Sequence, residues 1–143
     1  MRAALEQART AVACGEVPVG AVAVFENRIV ATAHNEMERQ RSATAHAERL
    51  LIDRASEALL NWRLEGVSIY VTLEPCTMCV GAMLLARVNS IFFACDDPRQ
   101  GAAGSLYDLT NLSPGDSIGV YSGVLAEEAR ELLQRFFAER RGV

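Results

Sequence analysis

One histidine and two cysteines in this chain are spaced to hold a metal ion and leave a coordination position open. His46-Ala47-Glu48 stands near the start of one predicted helix, and Pro75-Cys76-Thr77-Met78-Cys79 opens another. Structural zinc sites close with four protein ligands, whereas catalytic sites use three and keep a position for water. The evident ligands here are three: His46, Cys76 and Cys79. Glu48, two residues after the histidine, is the natural acid/base partner. The pattern points to zinc-activated hydrolysis.

The spacings carry physical reasons. Cys76 and Cys79 are three apart, so on a helix they share a face and can bind one ion. At a helix N-terminus their thiolates also meet unpaired N–H groups and the positive end of the dipole. Two thiolates cancel the charge of Zn²⁺, so a nearby base must help deprotonate water. Glu48 can do so without competing for the metal, since residues i and i+2 of a helix diverge by about 200°. Two other uses of the motif stay open at this point. One is a redox dithiol, although no thioredoxin-like pattern surrounds the cysteines. The other is a structural zinc completed by Cys14, Cys95 or His34.

The elements that must position these residues are readable in order. Residues 2–14 form a helical face of Leu5, Ala8, Val12 and Ala13 that ends at Gly15. Val19 to Phe25 and Arg28 to Ala33 read as two strands of a hairpin turning at Glu26-Asn27. A polar loop runs from Asn35 to Ser42. Thr44 is the expected cap of the helix carrying His46, Leu50, Leu51 and Leu59. Val67 to Leu73 is the third strand, after Gly66. Pro75 suits the first turn of the next helix, which reaches about Arg87. Ile91 to Ala94 is the fourth strand, followed by a Gly/Ala loop and a short helix from Ser105. Ser117 to Tyr121 is the fifth strand, and Ala126 to Arg140 closes as a helix. Helices interleaved with buried strands predict an α/β fold, a central sheet covered on both faces, in one domain spanning 1–143.

Composition sets the class. The chain has 143 residues, 50% hydrophobic and 22% charged, the balance of an ordinary globule. No apolar run approaches the roughly 20 residues of a membrane helix. The N-terminus mixes acid with base at helical spacing, unlike a signal peptide, so a reducing cytoplasm is expected for the four cysteines. A net charge of −4 gives no global attraction to nucleic acid, so RNA contact requires a local basic patch. All 14 basic residues are arginine, a bias that reads as compositional. Trp62 is expected in the core, Phe136 and Phe137 in helix packing, and Cys14 and Cys95 as small buried hydrophobes.

The arrangement His46-Ala-Glu48…Pro75-Cys76-Thr-Met-Cys79 matches the H-x-E…P-C-x-x-C signature of zinc deaminases. Beyond it, the chain resembles the bacterial tRNA-specific adenosine deaminases over nearly its whole length. The stretches that carry the likeness include Gly15-Glu-Val-Pro-Val-Gly-Ala-Val22, His34-Asn35, Trp62-Arg-Leu-Glu-Gly66, Tyr70-Val-Thr-Leu-Glu-Pro-Cys76, Gly101-Ala-Ala-Gly-Ser-Leu106 and Phe136-Phe137. The resemblance implies a three-layer α-β-α sandwich, cytidine-deaminase-like, with a five-stranded mixed sheet. It further implies a homodimer, one Zn²⁺ per chain, and a tRNA anticodon stem-loop as substrate, its wobble adenosine converted to inosine. By position, His46, Cys76 and Cys79 are then the zinc ligands and Glu48 the proton shuttle. Asn35 and the Ala47 N–H would bind the target base, with Asp97 close to the target nucleotide. The lesser alternative for Asn35 is that it simply ends a strand. A free-base or nucleoside deaminase shares the zinc motif, and a scaffold with structural zinc has no use for Glu48. The short C-terminus and Asp96-Asp97 imply a modest, salt-sensitive RNA affinity.

Overall fold

The computed structural model describes residues 1–112, 115 and 117–142. Glu26 and Asn27 both take positive φ (51° and 61°), the geometry of a tight turn whose twist suits a hairpin. It joins β1 (Gly20–Phe25) to β2 (Arg28–His34), paired antiparallel from Gly20 with His34 to Phe25 with Arg28, with a register shift between Ala23 and Val24. β3 (Ser68–Leu73) lies antiparallel on the other side of β1. β4 (Ser90–Cys95) and β5 (Gly119–Ser122) then add in parallel, giving a mixed sheet of order β2-β1-β3-β4-β5.

Helices cover both faces. α1 (Arg2–Ala13) packs on β1 and β2 and touches α5 (Ala126–Arg140), which lies over β4. α3 (Ala47–Leu59) covers β2 and β1 and packs beside α4 (Thr77–Leu85). The short α2 (Met37–Gln40) lies between β2 and α3. Strand alternation divides the side chains between the two interfaces. Ala21, Ala23, Ile69, Val71, Ile91 and Phe93 join Leu50, Leu51 and Ala55 of α3 and Met83 of α4 in the larger core. Leu5 of α1, Ala94 and Ala129 of α5 form the smaller one. Burying each large aliphatic side chain contributes roughly 1.5–3 kcal/mol. The result is the expected three-layer α-β-α sandwich.

Close approach of α1 depends on Gly20. A Cβ built there would lie 2.1 Å from the Ala4 carbonyl oxygen and 2.3 Å from the Ala8 nitrogen. The Gly20 N–H donates to the buried Thr72 hydroxyl at 3.1 Å, binding β1 to β3 beneath the helix.

The structure corrects several local expectations. Residues 35–42 are not a plain loop: Glu16, buried in the turn after α1, accepts N–H groups of Glu38 (3.0 Å) and Arg39 (2.8 Å) and so starts α2. Thr44 does not cap α3, because the helix begins later and His46 is its N-cap. Pro75 stands outside α4, whose N-cap is Cys76. No helix starts at Ser105; its hydroxyl is bound by Glu74 instead of capping a turn. Trp62 is 58% exposed, with the Arg63 guanidinium 4.8 Å from the ring centre, so amphipathic stacking replaces burial. Cys14 is exposed at the end of α1, while Cys95 is buried as expected. Phe136 packs inside and Phe137 remains 43% exposed.

Candidate active site

The parallel connection from β3 through α4 to β4 delivers Cys76 and Cys79, and the hairpin-to-α3 connection delivers His46 and Glu48. The Nδ1 of His46 lies 3.5 Å from the Cys76 sulfur and 3.6 Å from the Cys79 sulfur. All three donor atoms lie within 4.8 Å of one another, a cluster that can hold a metal ion. Thiolate and imidazole donors in this number match a three-ligand zinc site with an open position. His34 and Cys95 bond elsewhere, to the Asn35 and Thr72 carbonyls, so neither joins the cluster.

Charges within the cluster are unequal. Cys76 accepts a hydrogen bond from Cys79 and another from His46, which pull its thiol down to about 4. The same bond to Cys76, with burial, pushes the Cys79 thiol up. His46 is raised through its bond to Cys76. One hydrogen bond thus drives the two thiols in opposite directions, toward ionisation at Cys76 and away from it at Cys79.

Glu48 sits in the first turn of α3 and is 4% exposed. Burial of its carboxyl pushes it up to about 7. Such a carboxyl gives and takes protons near neutral pH.

A cavity of about 190 Å³ opens over this cluster. That is smaller than the several hundred Å³ of a drug-sized pocket and matches a single planar heterocycle. Its apolar walls include Val17, Val19, Met37 and Leu73, and its polar groups include Asn35, Glu48, Asp97 and Gln100. A larger cleft of about 430 Å³ lies elsewhere, lined by Arg63, Arg87, Asn89 and Ser117 and lacking the ligand cluster.

Of the residues singled out in the sequence, Asn35, His46, Ala47, Glu48, Cys76 and Asp97 line this cavity, while Cys79 is fully buried beside His46 and Cys76. Asn35 is buried; its side-chain oxygen accepts the Met37 N–H at 3.3 Å, which fixes the plane of the amide. Ala47 is the first residue of α3, where N–H groups have no partner inside the helix. Asp97 is half-buried, with one carboxylate oxygen accepting the N–H groups of Arg99 (3.1 Å) and Gln100 (3.2 Å).

Three buried carboxylates went unremarked in the sequence, Glu16, Glu36 and Glu74, and of these Glu16 and Glu74 brace the walls of the cavity. Glu16 braces the Asn35–Met37 wall through α2. Glu74 holds the facing loop, accepting N–H groups of Asp97, Ala103 and Ser105, each at 3.0 Å, and the Ser105 hydroxyl. A signal existed for Glu16 and Glu74: each is a lone acid in an apolar run, Glu16-Val-Pro-Val and Thr-Leu-Glu74-Pro, with no base beside it.

Comparison with known proteins agrees with this architecture. Residues 1–141 match the model of the MafB19-like deaminase family. A tRNA-specific adenosine deaminase of Bacillus subtilis is 46% identical over 142 residues, covering 99% of this chain and 88% of that protein. A solved tRNA:A34 deaminase, studied for A-to-I editing at the wobble position of transfer RNA, superposes with a TM-score of 0.85 at 40% identity. It covers 93% of this chain, which covers 97% of it. A guanine deaminase from Bacillus subtilis is more distant, with a TM-score of 0.65 at 30% identity over 98% of this chain and 90% of its own. A buried glutamate beside a His/Cys/Cys cluster, on a fold shared over nearly full length with these relatives, places the chain in the MafB19-like deaminase family and, within it, among the tRNA-specific adenosine deaminases.

Proposed function

We propose that this chain hydrolyses the 6-amino group of the wobble adenosine in a tRNA anticodon loop, giving inosine and ammonia. The observation that carries the reading is Glu48, buried beside the His46, Cys76 and Cys79 donors on the floor of a cavity of base size. We assign His46, Cys76 and Cys79 as ligands of one Zn²⁺. When bound there, zinc makes water acidic enough to act as a nucleophile at neutral pH.

The chain's own groups do the rest. Glu48 takes the two protons of the attacking water in turn, passing the first to ring N1 as the oxygen adds to C6 and the second, from the resulting hydroxyl, to the departing amine. Its poise near neutrality suits both directions of transfer. Asn35 and the Ala47 N–H hold the base edge, while Val17, Val19, Met37 and Leu73 exclude bulk water from the ring. Asp97 and Gln100 stand at the rim, where the nucleotides flanking the target would pass. A base splayed out of an anticodon loop reaches such a pocket at little unstacking cost.

Residues 1–143 act as one domain in this reading, and the working unit is a homodimer. Leu60 and Leu85, at the C-terminal ends of the adjacent α3 and α4, are 92% and 78% exposed, which supports a covering partner surface. No helix among the described residues is long and apolar enough to cross a membrane. We place the activity with its tRNA substrate in the cytoplasm.

Single-turnover deamination of an anticodon stem-loop with adenosine at the wobble position tests the reading, run beside guanine, cytosine, cytidine and free adenosine. Inosine formed in the stem-loop alone is the expected result. Turnover of a free base with an untouched stem-loop would retain the proton chemistry of Glu48 and overturn the substrate.

A further inference from the structure

We propose that Glu74 is a positioning residue: it holds the Asp97–Ser105 segment in register with the metal-bearing start of α4, and so sets the wall that receives the substrate. The assignment of that wall to a polynucleotide rests on the function proposed above. The clamp itself is a matter of geometry.

Glu74 is 2% exposed, and its carboxylate accepts four hydrogen bonds, all from one segment. Oε1 takes the Asp97 N–H and the Ser105 hydroxyl, and Oε2 takes the N–H groups of Ala103 and Ser105. Residues 97–105 contain no helix or strand ladder; apart from Glu74, turn bonds and isolated bridges hold them. A buried carboxylate with fewer donors would carry an unsatisfied acceptor, so carboxylate and segment order each other.

Gly101 shows how close the fit is. A Cβ there would lie 2.3 Å from the Glu74 carboxyl carbon and 2.5 Å from the Asp97 carbonyl oxygen. The segment is also tied to the residues that follow Glu74. The Ala102 N–H donates to the Pro75 carbonyl at 2.9 Å, and Gly101 pairs with Cys76 in an isolated bridge. Glu74 therefore stands between two things the reaction must keep aligned, the cysteine-bearing helix start and the rim bearing Asp97 and Gln100. Replacing one carboxylate oxygen with an amide NH₂ sets donor against donor and pushes the segment away.

The test compares metal-loaded Glu48→Ala protein, which binds without turnover, with Glu48→Ala/Glu74→Gln protein. Amide hydrogen exchange and anisotropy of a labelled wobble-adenosine stem-loop are the two readouts. The expected result is exchange at least a hundredfold faster at Asp97, Ala103 and Ser105, unchanged exchange at Ile69 and Ile91, full metal content, and stem-loop binding at least tenfold weaker. Retained protection at the three amides, or undiminished binding, would overturn the proposal. Equal acceleration throughout β3 and β4 would also overturn it, by reducing Glu74 to a general stabiliser of the fold. Should the double variant not fold, Ser105→Ala in the same background removes one donor and is expected to weaken stem-loop binding about threefold; undiminished binding there would sink the clamp. Failure of the Glu48→Ala parent to bind the stem-loop removes the substrate reading, and the exchange pattern then decides the clamp alone.

Discussion

His46 and Cys76 occupy the same position in two different helices: each is the N-cap, with extended backbone (φ −74°, ψ 149° and φ −81°, ψ 176°). Neither side chain caps its own helix by hydrogen bonding. Both turn away from the helix to meet 3.5 Å apart. Two helix N-termini, each with positive partial charge, thus converge where the Cys76 and Cys79 sulfurs and the Glu48 carboxyl gather.

Glu48→Gln should retain the metal and the fold but lose deamination by three orders of magnitude or more, because the amide cannot carry the proton. Metal analysis and single-turnover rates on the stem-loop measure both properties. A variant turning over within tenfold of the parent removes Glu48 from the reaction.

Chelation should destabilise the protein, since a metal held by His46, Cys76 and Cys79 binds donors that only the folded chain brings together. Thermal melts with and without chelator are expected to differ by several degrees, and Cys76→Ser protein should melt near the chelated value with little bound metal. Stoichiometric metal in Cys76→Ser would deny Cys76 a ligand role.

Gly20→Ala should cost about 3 kcal/mol or more, because the new methyl meets the backbone of α1 rather than a movable side chain. Gly104→Ala is the comparison: its φ of 131° is strained for alanine, but nothing lies within 4 Å of the added carbon. Urea unfolding should rank Gly20→Ala clearly below Gly104→Ala. The reverse order would mean that α1 moves off the sheet at little cost.

Burial raises the Cys95 thiol above its ordinary value. A group whose folded pKa is raised lends stability at pH below its unfolded value and loses it as pH climbs through the folded one. Cys95→Ala should therefore gain on the parent as pH rises above the ordinary thiol value of about 8.5, in denaturant titrations with reductant present. A constant gap over that range would show that Cys95 ionises as freely in the fold as outside it. The exposed Cys14 should also react with a thiol reagent far sooner than Cys95.

Much of this was legible in the sequence because periodicity and spacing are local. The five strands and the long helices follow from apolar patterns, and the ligand cluster from His46, Cys76 and Cys79 alone. What was hidden depends on residues far apart in the chain. Glu16 starts α2 from 22 residues away, and Glu74 holds Ser105 from 31. The expected helix at Ser105 failed because that hydroxyl and N–H are more strongly bound by a buried anion than by a local turn. Thr44 and Pro75 misled for a related reason: His46 and Cys76 of the candidate cluster themselves take the helix boundaries. Trp62 was misplaced because hydrophobicity does not say whether an arginine will cover the ring.

The strand order has a consequence in time. Only the β1–β2 hairpin joins segments close along the chain; β3 must enter beside β1, and β4 beside β3, before the sheet exists. His46 and Cys76 are 30 residues apart and meet only after β3 has docked. Closing such distances is the slow part of assembling a fold. Cys76 and Cys79 are thus neighbours in the chain from the start, whereas His46 reaches them across 30 residues and only through the assembled sheet, so the candidate metal cluster is a product of the whole fold.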